Sequence, residues 1–127
     1  MIEDFDAVAA VIDVYFDGLY ESDTKRLGRA FHPQAIYVSP TGGEFLFRDM
    51  ETYFAVVDKR PSPKSKGEVR RDSIRSIEFA GPDMARAVVH CAIGDKYFTD
   101  YLTFVRANGE WRIMAKVFHH DPIPQSA

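Results

Sequence analysis

The second half of the chain contains four long segments rich in β-branched and aromatic residues, and short turns separate them. The turns are Gly81-Pro82-Asp83, Gly94-Asp95 and Asn108-Gly109, and connections of this length and composition join antiparallel strands. The pattern predicts an antiparallel sheet, which needs other elements to cover one of its faces. The predicted strands are 69–79, 84–93, 97–105 and 111–119.

The first half supplies helices for this role. Apolar residues recur every three or four positions between Glu3 and Glu21, which predicts an amphipathic helix. We expect its Phe5, Ile12, Phe16 and Leu19 side to pack against the sheet. A second, short helix is predicted from the capping residues Ser22 and Asp23 to Phe31, and a third over 48–59.

A small hairpin, 35–39 with 45–47, lies between the second and third helices, and a proline-containing exposed loop covers 59–67. Helices followed by hairpin-linked strands predict an α+β fold, in which a curved antiparallel sheet packs on three helices. A pocket between the sheet and the helices would suit a small ligand.

The composition fits a single domain over residues 1–127. Apolar residues make up 46% of the chain and aromatic residues 13%, enough for a packed core. Sixteen basic residues against 19 acidic ones give a net charge of −3, which argues against nucleic-acid binding. The N-terminus lacks the basic residues of a signal peptide, and no apolar run approaches the roughly 20 residues of a membrane span. We therefore expect a cytoplasmic protein that binds no membrane.

Metal and cofactor motifs are missing from the sequence. One cysteine, Cys91, and four histidines exclude a disulfide framework and a Cys-rich zinc site. His119 and His120 are adjacent, and adjacent strand residues point to opposite faces, so we expect no metal there. Glycine-rich phosphate or dinucleotide motifs are absent, and we expect no cofactor.

Two parts of the chain resemble nuclear-transport-factor-2-like (NTF2-like) proteins. The first is the stretch 15–23 together with Phe31-His32-Pro33 and Pro40-Thr41-Gly42, and the second comprises 100–104, 108–113 and 116–119. The chain resembles in particular the branch called putative lumazine-binding proteins. The resemblance covers nearly the whole chain, and its motifs are specific for the fold rather than for a reaction.

This resemblance implies a cone-shaped, strongly curved sheet packed on three helices, with a pocket at the open end of the cone and a homodimer formed through the sheet. The superfamily includes ketosteroid isomerase, scytalone dehydratase, polyketide cyclases and limonene epoxide hydrolase, beside many members with no known reaction. Fold alone therefore does not decide the activity.

The resemblance also suggests site residues. Ketosteroid isomerases use a tyrosine on the first helix and a protonated aspartic acid on a late strand as donors to an oxyanion, and Tyr15 and Asp100 match these positions. A second aspartate, which moves the proton, precedes a Pro-x-Gly turn in those enzymes, whereas here Ser39 precedes that turn. A serine hydroxyl with no adjacent base accepts no proton near neutral pH, which disfavours steroid-type isomerisation.

Each candidate has a structural alternative. Tyr15 lies on the apolar stripe of the first helix, where it either packs in the core or lines the pocket. Asp100 either faces inward, neutral or paired, or faces water near the turn at Gly94-Asp95. His90, in the middle of a predicted strand, is either a general base or a histidine satisfied within the sheet.

We expect one pocket, polar at its floor and apolar on its walls, that suits a small hydrophobic or aromatic ring compound. Its predicted lining is Tyr15, Ser39, Phe54, His90 and Asp100, of which Tyr15, His90 and Asp100 are the catalytic candidates. On the outer face of the sheet, Tyr101, Thr103 and Phe118 would form an apolar surface that a second copy covers.

Three functions remain open. A small-molecule-binding protein without catalysis is favoured by the missing base. A lyase or isomerase acting on a cyclic or polyketide-like carbonyl compound would use the tyrosine, the acid and the histidine. A dimeric scaffold with a vestigial pocket would need none of them.

Overall fold

The structure, a computed structural model, describes residues 2–123, in which three α-helices precede or interrupt six strands. The helices are α1 (Ile2–Glu21), α2 (Thr24–Ala30) and α3 (Met50–Lys59). The strands are β1 (Phe31–Ser39), β2 (Leu46–Asp49), β3 (Ser73–Ala80), β4 (Met84–Ile93), β5 (Lys96–Ala107) and β6 (Glu110–Pro122).

Helix α1 buries the predicted apolar side except at its start. Ile12, Phe16 and Leu19 are buried, whereas Phe5 is 47% exposed. The prediction that Phe5 packs against the sheet was wrong, because Phe5 lies in the first turn, ahead of Val8, the first buried position of the helix.

Helices α1 and α2 approach each other at a glycine. A Cβ atom on Gly18 would lie 2.8 Å from Cδ2 of Leu27, so this close approach depends on the missing side chain. Asp23 caps α2 by accepting hydrogen bonds from two backbone N–H groups of its first turn. The helix ends at Ala30, one residue before the predicted end, because Phe31 takes an extended conformation and begins β1.

The six strands form one curved sheet in the order β2-β1-β6-β5-β4-β3. Strands β1 and β6 are parallel, and all other neighbouring pairs of this sheet are antiparallel. The predicted small hairpin and the predicted four-stranded sheet are thus parts of one sheet, joined through β1 and β6. The helices pack on one of its faces, which confirms the α+β class.

A β-bulge in β6 decides which of its residues face the helices. The register between β5 and β6 shifts after Thr103, so Met114 has no partner on β5. Because side chains alternate between the two faces of a strand, one extra residue reverses the alternation beyond it. Ile113 and Lys116 consequently both face the helices and are both buried.

The same bulge changes the composition of the outer face. Phe118 is buried, so the expectation that it lies outside with Tyr101 and Thr103 was wrong, because the bulge turns it inward. Val117 lies outside instead, opposite Tyr101. An apolar row crosses the outer face over five neighbouring strands, formed by Phe47, Val38, Val117, Tyr101 and Val88.

Residues 60–72 contain no helix or strand and connect α3 to β3. This agrees with the predicted loop, but the strand predicted from residue 69 begins only at Ser73, and the segment before it is held to α1 by the ion pair of Arg70 with Asp17. Among the helices of the described residues 2–123, none combines the length and the hydropathy that a membrane crossing requires.

Candidate functional site

The interior between the helices and the sheet contains charged side chains. Among residues 2–123, the buried charged side chains are Asp100 of β5 and Lys116 of β6. Burying a charge costs free energy unless opposite charge or hydrogen bonds compensate it. The groups that surround these two side chains therefore determine how their charges are compensated and which ligand chemistry the interior favours.

Tyr15 of α1 donates a hydrogen bond to Asp100. Its hydroxyl oxygen lies 2.5 Å from Oδ2, and both side chains are fully buried. Burial raises the pKa of Tyr15 well above its ordinary value, and the charge of Asp100 raises it further, so Tyr15 keeps its proton. Within the described residues the other carboxyl oxygen, Oδ1, has no hydrogen-bond partner. Asp100 thus faces inward, not toward water at the turn.

The ammonium group of Lys116 is surrounded by aromatic rings. Ring faces attract cations, and Nζ lies 5.0–5.6 Å from four ring centroids, those of Tyr15, Tyr37, Tyr53 and Phe118. Desolvation lowers the pKa of Lys116, but neighbouring ionisable groups, chiefly Tyr53 and Asp100, raise it by more. The pKa lies above its ordinary value, so the side chain is an ammonium ion at neutral pH.

A narrow pocket borders Lys116. Its volume is about 10 Å³, which is close to the room that one water molecule needs. Two basic side chains, one cysteine and mainly aromatic and aliphatic groups surround this space. The lining residues are Leu19, Tyr37, Tyr53, Arg60, Cys91, Ile93, Phe98 and Lys116.

Several polar groups around this pocket have no partner. In the described part of the chain, the Tyr53 hydroxyl and Nε of Arg60 are buried without a hydrogen bond. No ion pair among residues 2–123 includes Lys116 or Arg60. Donors of this kind stabilise an oxygen on which negative charge develops. Oδ1 of Asp100, in the interior but outside the lining of this pocket, is a further group that accepts a hydrogen bond or a proton.

The predicted lining was wrong for the narrow pocket: Tyr15 and Asp100 contact each other in the interior but do not border it, and His90 lies apart from both. His90 lies between the buried residues Val89 and Cys91 of β4, so its side chain points to the outer face. There its ring stacks on Tyr97 with 5.3 Å between centroids, and Nδ1 lies 3.2 Å from Oγ1 of Thr99. These contacts match the alternative of a histidine satisfied within the sheet.

Ser39 and Phe54 do not line the narrow pocket either. Ser39 is buried at the end of β1, and its Oγ accepts a hydrogen bond from the backbone N–H of Thr41, which stabilises the turn after the strand. Phe54 of α3 is half-buried, and its ring contacts those of Phe31 and Tyr53. Ser39 therefore stabilises a turn and Phe54 packs among aromatic rings, and neither contributes a polar group to the pocket.

The adjacent histidines of β6 diverge. His119 contacts Thr41 and Asp121 at the surface, whereas the ring of His120 packs against Phe98. The two imidazoles thus point to different faces, as the alternation of the strand predicts.

Sequence reasoning missed Lys116, because simple alternation along β6 from Trp111 places residue 116 on the outer face. One signal was available. Ile113, Met114 and Ala115 are consecutive apolar residues that interrupt the alternation begun at Trp111, and such a break is typical of a bulge. A bulge assigned there would have turned Lys116 and Phe118 inward.

Known proteins resemble this chain over almost its whole length. The model of the family described as "Putative lumazine-binding" matches residues 3–119. A curated relative, the aldolase FrzH of Cladobotryum sp, is 26% identical over 119 residues, which make up 94% of this chain and 93% of that protein.

Solved structures share the fold. An NTF2-like protein of unknown function from Shewanella baltica has a TM-score of 0.82 at 23% identity, over 95% of this chain and 96% of that one. Another, from Silicibacter pomeroyi, has a TM-score of 0.79 at 24% identity, over 94% and 97%. A ketosteroid isomerase-like protein from Erwinia carotovora atroseptica has a TM-score of 0.74 at 10% identity, over 94% and 98%. The predicted NTF2-like fold is confirmed.

Proposed function

The chain belongs to the family described as "Putative lumazine-binding", and we propose that it binds a small, flat carbonyl compound in the narrow pocket beside Lys116. The observation that carries this proposal is the buried ammonium group, which lies among four aromatic rings and outside every ion pair of residues 2–123. A buried cation without a directly bound carboxylate favours an electron-rich oxygen. Aromatic walls favour a flat ring beside that oxygen.

The unpartnered groups of the interior fit the same ligand. The Tyr53 hydroxyl is a second donor near Lys116, whose Nζ lies 5.6 Å from the Tyr53 ring centroid. A carbonyl or enolate oxygen between them would satisfy both donors. Oδ1 of Asp100 would accept a hydrogen bond from an N–H or O–H group of the ligand.

The pocket must widen to admit such a ligand. A volume of about 10 Å³ suits a single water molecule, so a ring compound displaces one or more side chains of the lining. Phe98 is the best candidate for this movement, because it is only partly buried and packs at the border of the core. Its ring contacts Phe118 and His120.

A binding titration tests this proposal, with cyclohex-2-enone and phenol as probes followed by NMR and thermal unfolding. We expect the unaltered protein to bind at least one probe, and a probe at about 100 times its Kd raises the free energy of unfolding by about 2.7 kcal/mol. The doubly substituted variant Lys116→Met with Asp100→Asn removes the two buried charges together, so that neither is left without the other, and should lose this binding. Lys25→Met, at an exposed position of α2, is the matched control. Unchanged binding in the double variant, or no binding of either probe by the unaltered protein, would contradict the proposal.

A second candidate function is an aldol-type carbon–carbon lyase. The observation that favours it is the 26% identity to the aldolase FrzH over 94% of this chain, together with an acceptor and a cation in one interior. The Asp100 carboxylate would take a proton from the carbon next to the ligand's carbonyl, and Lys116 with Tyr53 would stabilise the enolate oxygen. The enolate carbon would then attack the carbonyl carbon of a second compound, and the resulting alkoxide would take up the proton.

Lys116 acts electrostatically in this scheme. An imine mechanism needs a neutral amine as nucleophile, and the raised pKa of Lys116 keeps the group protonated. The first step is measurable without the true substrate, as exchange of the protons next to the carbonyl of cyclohexanone in D₂O. Exchange that is faster with the protein and lost in Asp100→Asn supports a lyase. Binding without any exchange would leave the protein a binder only.

We also propose that two copies pair through the outer face of the sheet. Tyr101 is 63% exposed and Val117 41%, and both belong to the apolar row across five strands. A contiguous apolar surface of this kind is unfavourable in water. A two-fold axis through it would bring the same row of each copy together.

A further inference from the structure

We propose that the ligand carries one carboxylate group and that Arg60 binds this group while Lys116 binds the carbonyl oxygen. This inference rests on the proposed function, because it names the chemical class of the ligand in the same pocket. It assigns to Arg60 the role of selecting anionic over neutral compounds.

The position of Arg60 at the pocket is fixed by a backbone hydrogen bond at the end of α3. Arg60 follows Lys59, the last residue of α3, and its N–H donates a hydrogen bond to the carbonyl oxygen of Val57. The side chain lines the same space as Lys116 and Cys91. Nε is buried and has no hydrogen-bond partner among residues 2–123. A buried guanidinium donor without a partner costs free energy, which a carboxylate ligand would recover.

Half of the ten arginines of the chain are neutralised by acids. These five form ion pairs with aspartate or glutamate side chains: Arg26, Arg70, Arg86, Arg106 and Arg112. Arg60 forms none within residues 2–123, like Arg29, Arg48, Arg71 and Arg75, but among these arginines it alone has a buried Nε without a hydrogen-bond partner, and it lines the narrow pocket. Its guanidinium presents donors in the fork geometry that matches a carboxylate.

The formal charges around the pocket also favour a ligand with one negative charge. Lys116 and Arg60 contribute two positive charges, and Asp100 contributes one negative charge to the interior behind them. A ligand with a single negative charge would make this set neutral. A neutral ligand would leave Arg60 uncompensated, and a dianion would leave an excess of negative charge next to Asp100.

The experiment compares two probes of nearly equal shape, 3-hydroxybenzoate and 3-hydroxybenzamide. Each has an oxygen for Lys116 on a flat ring, and they differ in the charge of the group meant for Arg60. Kd is measured by NMR titration for the unaltered protein, Arg60→Gln, Arg60→Lys and the control Arg75→Gln, which removes an exposed charge of β3.

We expect the unaltered protein and Arg75→Gln to bind the benzoate about tenfold or more tightly than the benzamide. Arg60→Gln should reduce this preference to about twofold or less, and Arg60→Lys should restore part of it. Equal binding of both probes by the unaltered protein, or a preference that survives in Arg60→Gln, would overturn the inference while the proposed function stands. Binding of neither probe, together with failure of cyclohex-2-enone and phenol, would overturn both.

Discussion

The hydroxyl oxygen of Tyr15 lies 2.5 Å from Oδ2 of Asp100, although 85 positions separate the two residues in the sequence. Tyr15 comes from α1 and Asp100 from β5, so the hydrogen bond exists only when the helix is docked on the sheet. It satisfies one oxygen of a fully buried carboxyl group. The buried carboxyl group of Asp100 therefore has its hydrogen-bond donor only when α1 is docked on the sheet.

Replacing Tyr15 by Phe should destabilise the protein by about 1–3 kcal/mol, because both oxygens of Asp100 would then lack a partner in a buried site. Urea unfolding measures this change. The matched control is Tyr20→Phe, which removes a hydroxyl that donates to the backbone oxygen of Glu68 at a partly buried position. Tyr20→Phe should lower the free energy of unfolding by about 0.5–1.5 kcal/mol. A cost for Tyr15→Phe no greater than that of the control would show that the buried contact contributes little.

Cys91 reports whether the pocket opens. It is the single cysteine of the chain, it is buried in the pocket lining, and burial raises its pKa above the ordinary value. A thiol that is buried and protonated reacts slowly, so a colourimetric thiol reagent should modify native Cys91 much more slowly than the unfolded chain.

The variant Phe98→Ala should speed this reaction, because it removes a ring from the pocket border. Phe79→Ala removes a ring of β3 that packs on Trp111 and does not line the narrow pocket; it is the control and should leave the rate unchanged. Equal acceleration by both variants would indicate a general loosening of the fold instead of a local opening.

Gly18 and Gly28 should respond in opposite directions to substitution by Ala. At Gly18 the new methyl group would lie 2.8 Å from Cδ2 of Leu27, so Gly18→Ala should cost about 1–3 kcal/mol through overpacking. At Gly28 the nearest atom belongs to Phe54 at 3.9 Å, an ordinary contact, so Gly28→Ala should stabilise α2 by up to about 1 kcal/mol. Thermal unfolding measures both, and a stabilising Gly18→Ala would show that the helices separate without penalty.

Tyr101→Glu should yield a monomer in sedimentation experiments if two copies pair through the outer face. The substitution places two like charges near the centre of a two-fold contact, where burying them is costly. Lys25→Glu on α2, far from the sheet's outer face, should leave the dimer intact. An unaltered protein that sediments as a 14.4 kDa monomer at micromolar concentration would exclude this pairing.

The sequence predicted the architecture well, because its strongest signals are local. The turns of the second half and the helical periodicity of α1 depend on neighbouring residues alone. The parallel pairing of β1 with β6 could not be predicted in this way, since it joins segments that are distant along the chain.

The contact of Tyr15 with Asp100 was anticipated, whereas the lining of the narrow pocket was not. Tyr15 and Asp100 were found through the resemblance, and the structure places them in contact. Lys116 was missed because a bulge shifts its face, and Arg60 because it lies in a segment expected to be an exposed loop. His90 was misplaced because its position in a strand gives no information about the face on which helices pack.

The bulge at Met114 has a consequence for chains of slightly different length. Deleting that one residue would exchange inside and outside for the rest of β6, so that Lys116 and Phe118 would face water and Val117 would enter the core. The interior would lose the one basic residue that is buried among the described residues, and Asp100 would lose this buried positive charge as a neighbour. A relative of equal fold without this insertion should therefore carry a different residue pair at these positions, and with it a different ligand chemistry.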